Sequence, residues 1–238
     1  MRCDIMSRRM IGAIALLAGI LFFHIERSES MGNNDPQKTI RLLSPHFESK
    51  TSIEKSLLDR RSVRNYREKD LTVDEVSQLL WAAQGVTNRR GLRTAPSAGA
   101  LYPLEIYIVA GNVSGLAPGI YRYEPGAHEL VKTADRDRRV ALWRVGLEQG
   151  AIRNAPVVLV FCAVYERTTR KYGERGMRYV HMEVGHAAQN VCLQAISLRL
   201  GTVVIGAFND REVKNIMELK TDEHPLCIMP VGRLRIED

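Results

Sequence analysis

The sequence predicts an α+β fold in which helices cover a mixed central sheet. Strand patterns alternate with helical patterns over most of the chain, and one long apolar stretch predicts an extended central helix. A β-hairpin interrupts the alternation, whereas a doubly wound parallel sheet joins its strands through helices. The 238 residues, 45% of them hydrophobic, suffice for one domain of this kind.

The N-terminal 30 residues have the pattern of an export signal or a membrane anchor. Three arginines precede an uncharged apolar run over residues 10–23, and a polar stretch follows. The run is shorter than the roughly 20 residues of a membrane-spanning helix, and Ser7-Arg8-Arg9 partly matches a twin-arginine signal. We therefore predict an exported protein (periplasmic or extracytoplasmic), either processed or tethered to the membrane through residues 10–23. A buried helix of the domain is the alternative.

Residues 31–50 form a polar lead-in, and residues 51–238 form the predicted domain. Its first helix begins at Ser52, with three large apolar residues on one side. Thr72 and Glu75 have capping-box spacing, and the helix that they begin has apolar residues at helical intervals and a stop at a glycine. A loop rich in Arg, Gly and Asn follows.

The middle of the domain supplies strands. Residues 104–109 have the β-branched and aromatic content of a strand. Two further strand patterns flank Pro125-Gly126, which indicates a hairpin over residues 120–131. Residues 138–149 are predicted to be helical, and the apolar residues 157–164 to form a buried strand.

The last third begins with the most prominent helical pattern. Residues 177–200 are long, apolar and Ala-rich, which predicts a central helix buried on most of its surface. A strand over residues 202–205, a short helix over residues 209–217 and a strand over residues 226–231 follow.

The formal net charge of +7 does not by itself indicate a nucleic-acid partner. The chain has no long Lys/Arg run and no basic stripe interleaved with aromatic residues. We therefore predict a solvated basic surface and no nucleic-acid binding. A basic nucleic-acid binder remains a third functional class, which would show steep salt dependence.

Neither a disulfide framework nor a metal site is predicted. The cysteines show no paired spacing, and three lie in apolar patterns typical of core positions: Cys162, Cys192 and Cys227. His181 and His186 flank Glu183, but their spacing of five residues sets them about 140° apart on a helix, unlike a zinc motif.

The first chemical signal is an alternation of basic and hydroxyl side chains. If the segment is extended, Arg60, Ser62 and Arg64 point to the same side. Two guanidinium groups and a hydroxyl suit a phosphate dianion, because arginine offers paired donors in one plane. An exposed basic turn is the alternative.

Three loops of small residues accompany this segment. They lie at residues 95–100, 205–208 and 230–233, and the last ends with an arginine. Small residues let a flat ligand approach the backbone closely. Each loop taken alone is also compatible with an ordinary turn.

Together, in this order, these segments resemble the nitroreductase family of FMN flavoproteins over residues 53–235. The segments at residues 96–103 and 183–190 are most similar to the SagB-like branch, which includes thiazoline/oxazoline dehydrogenases. The resemblance implies a three-layer α+β sandwich with a mixed central sheet and a long central helix. It also implies a homodimer with two flavin sites at the interface.

The resemblance assigns roles by position. The side chains and backbone that hold the FMN phosphate and ribityl end are those of Arg60, Arg61, Ser62 and Arg64. The loop that reaches FMN from the other subunit consists of Pro96, Ser97, Ala98 and Gly99. Gly206 and Ala207 match the loop beside the flavin ring, and Gly232 and Arg233 match the C-terminal phosphate contact.

In the azoline dehydrogenases of this branch, a Lys-Tyr pair ahead of the long helix assists proton removal. Lys171-Tyr172 occupies the matching position here. Oxidation of a C–N bond requires hydride transfer to flavin and loss of a proton, which a desolvated lysine could take while the tyrosine relays or orients it. A solvated lysine beside a packing tyrosine is the alternative.

The predicted function is hydride transfer between a small organic substrate and bound FMN. A SagB-type dehydrogenase is favoured over an NAD(P)H-dependent nitro or quinone reductase, because export separates the protein from reduced nicotinamides. With no Rossmann glycine pattern in the sequence, NAD(P)H would act only as a transient donor. The electron partner is not predicted, and a cofactor-free binding protein that retains the fold is the remaining alternative.

Overall fold

The computed structural model describes residues 39–235. The predicted leader over residues 1–30, its apolar run and the first part of the polar lead-in lie outside this range. Within it, the strands are β1 (Thr39–Arg41), β2 (Leu71–Thr72), β3 (Leu104–Ala110), β4 (Val113–Ser114), β5 (Gly119–Glu124), β6 (Glu129–Asp135), β7 (Val157–Ala163), β8 (Leu200–Thr202) and β9 (His224–Arg233). The helices are α1 (Ile53–Asp59), α2 (Val73–Gln84), α3 (Arg139–Val145), α4 (Gly150–Asn154), α5 (Glu166–Tyr172), α6 (Arg175–Ser197) and α7 (Asp210–Ile216), with a 3₁₀ turn at Ala98–Ala100.

Seven strands of the described chain form one sheet in the order β1-β6-β5-β3-β7-β9-β8. Neighbouring strands in it are antiparallel. Parallel pairing joins β2 to β4 in a separate two-stranded sheet, and Ser62 to Thr202 at the outer side of β8. The predicted α+β fold on a mixed sheet is confirmed.

Strand β7 shows why the fold has three layers. All seven of its residues are buried. Val157, Leu159 and Phe161 belong to a core shared with α2 and α6, whereas Val158 and Val160 belong to a second core shared with α3, α4 and α7. Because successive strand residues face opposite sides, helices on both faces require a continuous apolar run rather than an alternating one.

The long helix is amphipathic, which corrects the prediction that most of its surface is buried. Its buried residues recur three or four apart, as at Val180, Glu183, Ala187 and Val191. The opposite face, including Met182 and Gly185, is exposed in the single chain. The sheet is thus covered by one face of α6, and the other face has no cover among the described residues.

The predicted helix over residues 138–149 is two short helices. Gly146, Leu147 and Glu148 interrupt it, and the last two have positive φ angles of 56° and 52°. A side chain at position 146 would lie 2.4 Å from the Ile152 side chain, so the break lets α4 fold back over α3. Local helix propensity was overridden by this packing.

The first helix forms as predicted, but its large apolar residues do not face the core. Ser52 caps α1 through its side chain, which accepts from the Lys55 amide. Ile53, Leu57 and Leu58 are all more than half exposed, and the small Ser56 is the buried residue of this helix. An apolar surface therefore lies on α1.

The remaining expectations concern cysteines and membrane helices. The three predicted core cysteines are confirmed as free and buried. Between residues 39 and 235, the chain forms no helix whose length and apolar character would allow it to cross a membrane.

Candidate active site

The segment that carries Arg60, Ser62 and Arg64 has extended backbone, which is the condition under which the sequence pattern suggested a phosphate site. Arg60 has φ −57° and ψ 121°, and Ser62 forms a parallel bridge with Thr202. The Val63 amide donates to the Thr202 carbonyl at 2.9 Å. Val63 packs toward the second core, whereas Ser62 and Arg64 are exposed.

Two of the arginines in this segment carry unpaired charges. The guanidinium groups of Arg60 and Arg64 form no ion pair with any residue between 39 and 235. Arg61 instead donates to the carbonyl oxygens of Leu58 at 2.9 Å and Arg60 at 2.8 Å, beside the end of α1. Arg60 and Arg64 are therefore the two cations of this segment that are available to an external anion.

Arg233 is already neutralised within the chain. Its Nη1 lies 2.6 Å from Glu75 Oε1 and its Nη2 lies 2.9 Å from Glu75 Oε2, a bidentate pair. Nη2 also donates to the Asp70 carbonyl at 3.1 Å. Glu75 in turn accepts from the Thr72 amide in the predicted capping box of α2. Arg233 thus connects β9 to the start of α2. The sequence did not predict this role, because the spacing of Thr72 and Glu75 indicated only a capping box for Glu75.

Gly232 is required by packing. A side chain at this position would lie 2.5 Å from the ring of Tyr66. The Tyr66 hydroxyl donates to the carbonyl oxygens of Val63 at 3.0 Å and Pro230 at 3.1 Å, and burial raises the pKa of Tyr66. The ring therefore lies on the glycine and fixes the arginine segment to β9.

A cleft of about 250 Å³ lies beside Arg64. It is also lined by Asn65, Gln149, Gly150 and Ile205. The loop that follows Ile205 contains the exposed Gly206 and Ala207, and the Gln149 amide donates to the Ala207 carbonyl at 3.0 Å. The structure thus brings together Arg64 and the second of the predicted small-residue loops.

A second group of predicted residues meets at Gly99. This glycine has φ +64°, and the position of a Cβ atom on it would lie 2.8 Å from Tyr172 Oη and 3.0 Å from Lys171 Nζ. Lys171 and Tyr172 form the last turn of α5, a helix that the sequence did not predict. Lys171 is exposed in the single chain, whereas Tyr172 is half-buried and packs edge-to-face on Tyr179.

Beneath the same loop lies a buried polar network. Glu183 of α6 is 2% exposed and accepts from Gln84 Nε2 at 3.2 Å, and the Ser97 side chain lies close enough to favour its ionised form. Gln84 Oε1 accepts from Arg93 at 3.2 Å. Burial raises the pKa of Glu183, and its hydrogen bonds and Arg93 oppose that shift. The sequence predicted no role for these residues, although Glu183 begins the segment 183–190 that resembles the SagB-like branch.

The two groups lie at opposite ends of β7. Val157, at its start, pairs with Val231, near Gly232 and Arg233. Ala163, at its end, pairs with Leu104, which closely follows the Gly99 loop. The strand between them spans about 20 Å. The register therefore separates Pro96–Gly99 and Lys171–Tyr172 from the C-terminal arginine within one chain.

The histidines of α6 do not assemble a metal site. His181 Nε2 lies 2.8 Å from the Tyr165 hydroxyl, and His186 is exposed. Across residues 39–235, no three His, Cys, Asp or Glu side chains are grouped so as to hold a metal ion.

Comparison with known proteins identifies relatives of this chain. The family model described as "Nitroreductase family" matches residues 57–233. Putative nitroreductase MJ1384 of Methanocaldococcus jannaschii is 51% identical over 195 residues, which cover 82% of this chain and 97% of the relative.

More distant relatives carry more specific names. Microcin B17-processing protein McbC of Escherichia coli is 31% identical over 133 residues, 53% of this chain and 48% of the relative. FMN reductase [NAD(P)H] of Bacillus subtilis is 25% identical over 194 residues, 75% of this chain and 64% of the relative. Among solved structures, a putative nitroreductase from Anabaena variabilis superposes with a TM-score of 0.75 at 32% identity, covering 86% of this chain and 43% of that one.

Proposed function

Because the chain belongs to the nitroreductase family, we propose that this oxidoreductase uses FMN to transfer hydride to or from a small organic substrate. The observation that carries the proposal is the pair of unpaired guanidinium groups, on Arg60 and Arg64, that flank Ser62 on an extended segment. The relative named as an FMN reductase supports the same cofactor.

The residues present fit a phosphorylated flavin. Arg60 and Arg64 supply two positive charges, Ser62 supplies a hydroxyl, and the cleft beside Arg64 is open to a ligand. Guanidinium groups hold a phosphate dianion by charge-assisted hydrogen bonds. When bound, FMN supplies the hydride chemistry, while the protein binds and orients it.

We further propose that the chain works as a homodimer. The Pro96–Gly99 loop lies at the far end of β7 from the arginine segment, so a second copy would bring it to the flavin. Two surfaces have no cover among residues 39–235: the apolar surface formed by the exposed leucines of α1, and the face of α6 around Met182 and Gly185. A glycine on an exposed helix face permits the close approach of another helix.

Within the family, we place the chain in the SagB-like branch, as a dehydrogenase. The contact of Gly99 with Lys171 and Tyr172 supports this placement, since it sets the two side chains against the loop assigned to flavin. The likeness to McbC supports it independently. Lys171 would take a proton from the substrate, once substrate or a second copy shields it from water, and Tyr172 would orient that transfer.

An NAD(P)H-dependent reductase is the second candidate. It is favoured by the identity with Putative nitroreductase MJ1384 over almost the full length of that relative. Mixing the purified protein anaerobically with NADH or NADPH separates the two candidates. Rapid flavin bleaching would indicate the reductase, and bleaching only by an oxidisable organic substrate would indicate the dehydrogenase.

Export of the protein remains a proposal that rests on the sequence of residues 1–30. It favours the dehydrogenase, whose electron acceptor would then lie outside the cytoplasm. Fractionation of cells that express the full chain tests it. Recovery of the protein in the cytoplasmic fraction would contradict export.

The cofactor proposal is tested by FMN titration of the apoprotein. Arg60→Ala and Arg64→Ala should each weaken FMN binding about 10- to 100-fold, since a hydrogen bond to a charged group contributes about 1.5–3 kcal/mol. Arg41→Ala is the matched control, because Arg41 is an exposed arginine on β1, at the opposite edge of the seven-stranded sheet from the Ser62 segment. Unchanged affinity in both test variants would refute the phosphate assignment, and a wild-type protein that binds no FMN would refute the function.

A further inference from the structure

The buried carboxylate of Glu183 lies directly under the loop of residues 97–102. It accepts from Gln84, in the last turn of α2, and it lies beside Ser97, at the start of the loop, whose side chain lowers its pKa. The charged group nearest to it is Arg93, which stacks on the Tyr102 ring with its guanidinium carbon 4.4 Å from the ring centroid. Glu105 and Arg167 lie further out, around Arg93.

The hydrogen bonds of this network have a fixed direction. Arg93 can only donate, so the Gln84 oxygen must face it, and the Gln84 amide NH₂ is left to donate to Glu183. Ser97 Oγ accepts from the Tyr102 amide at 2.9 Å, so its hydroxyl hydrogen is free to donate to Glu183. Both groups are thus able to donate to Glu183. In its ionised form the carboxylate accepts from both and carries no hydrogen that needs an acceptor.

The loop itself needs such an anchor. Gly99, Ala100 and Tyr102 have φ angles of 64°, 53° and 46°, in the left-handed region. Residues other than glycine are strained there, and such conformations persist only where the surrounding structure holds them. The Ser97 hydroxyl, which bonds the Tyr102 amide, connects this strained backbone to α6.

We propose that Glu183 is the positioning residue of this loop: through Ser97 it fixes the backbone of residues 97–102, and so the placement of Gly99 against Lys171 and Tyr172. The inference rests on the proposed function, in which this loop contacts FMN and the Lys-Tyr pair acts on substrate. Glu183 itself touches neither reacting group.

Ionisation of the buried Glu183 costs stability. Burial is the largest cause of its raised pKa. A raised carboxyl pKa means that the folded state binds the proton more tightly than the unfolded state, so stability falls as pH rises through the folded pKa. A buried carboxyl group whose ionisation weakens the fold, yet which lies beneath a loop of the candidate site, is typical of a functional residue.

The test uses Glu183→Gln in the apoprotein, with Glu223→Gln as the matched control. Glu223 is also buried, at 1% exposure, but accepts from Tyr107 and from the Lys220 amide on the other face of the sheet. Amide hydrogen exchange of a peptide spanning residues 97–102 is measured by mass spectrometry. Glu183→Gln should speed that exchange about tenfold, because the new side-chain NH₂ group would face the Gln84 amide or the Ser97 hydroxyl, which are donors themselves. Glu223→Gln should leave the exchange of this peptide unchanged.

Unchanged exchange in folded Glu183→Gln would overturn the proposal. If that variant does not fold, Ser97→Ala replaces it in the same measurement, since it removes the loop end of the network. Unchanged exchange in Ser97→Ala would equally overturn the proposal.

FMN titration between about pH 5 and pH 8 separates positioning from a merely structural role. The wild type should lose affinity relative to Glu183→Gln as pH falls, because protonation of Glu183 removes an acceptor. A ratio of affinities that is constant with pH would contradict the role of the charge. A wild type that binds no FMN, with loop exchange still faster in Glu183→Gln, would refute the proposed function and leave the anchoring of the loop established.

Discussion

Replacing Arg233 with alanine distinguishes a structural arginine from a phosphate ligand. The resemblance predicts a phosphate contact, whereas the structure shows a bidentate pair with Glu75. The side chains of Arg233 and Glu75 are 20% and 17% exposed. The substitution leaves a largely buried carboxylate at the start of α2 with only its capping-box partners.

The magnitude follows from that burial. Removing one partner of a fully buried ion pair costs about 3–5 kcal/mol, and an exposed pair contributes about 0–1 kcal/mol. With about one fifth of each side chain exposed, we expect Arg233→Ala to lower the free energy of unfolding by about 2 kcal/mol. For a chain of this size, that loss lowers Tm by about 4–8 °C.

Urea denaturation of the apoprotein measures the effect without FMN. A double-mutant cycle with Glu75→Gln should show a coupling of about 1 kcal/mol or more, and Arg233→Lys should retain part of the stability. FMN affinity should fall less in Arg233→Ala than in Arg60→Ala. An unchanged denaturation midpoint together with lost FMN binding would refute this reasoning and restore the phosphate role.

Two further predictions concern the loop at Gly99 and the histidine at the hairpin. Gly99→Ala sets a methyl group against Lys171 and Tyr172 at positive φ, so it should cost about 1 kcal/mol of stability and slow turnover. Lys171→Ala should also slow turnover but leave FMN binding unchanged. Normal turnover in both variants would exclude this contact from catalysis. Burial lowers the pKa of His128, whose ring contacts Tyr123, Ser77 and the Leu43 carbonyl. Its contribution to stability should therefore be complete above the ordinary histidine pKa of about 6.5 and decline below it, and a His128→Gln variant with the same pH profile as the wild type would contradict this.

The fold was largely predictable from the sequence because its patterns are strong. The capping box at Thr72 and Glu75 and the apolar run of β7 have direct local causes, and both are confirmed. The break at Gly146 and the outward face of α6 were not predictable, since they depend on what packs against each helix. Local periodicity does not specify that neighbour.

The sequence identified candidate residues for the site, but not the contacts that connect them. Arg60, Ser62 and Arg64 recur at every second residue, which suits extended backbone, and the structure shows a strand-like bridge at Ser62. The partners Glu75 and Glu183 were missed because they are distant in sequence: Arg233 and Glu75 are 158 residues apart, and Gln84 and Glu183 are 99 apart. A single sequence carries no signal for contacts between residues so far apart in the chain.

The place of β9 in the sheet has a consequence for biosynthesis. This strand lies between β7 and β8, and β8 in turn holds the Ser62 segment. A nascent chain that has not yet delivered residues 224–233 beyond the ribosomal tunnel therefore cannot join β8, or the arginines beside it, to the rest of the sheet. The side of the molecule that carries the proposed phosphate site should be acquired late, after the hairpin and β7 are already available to pair.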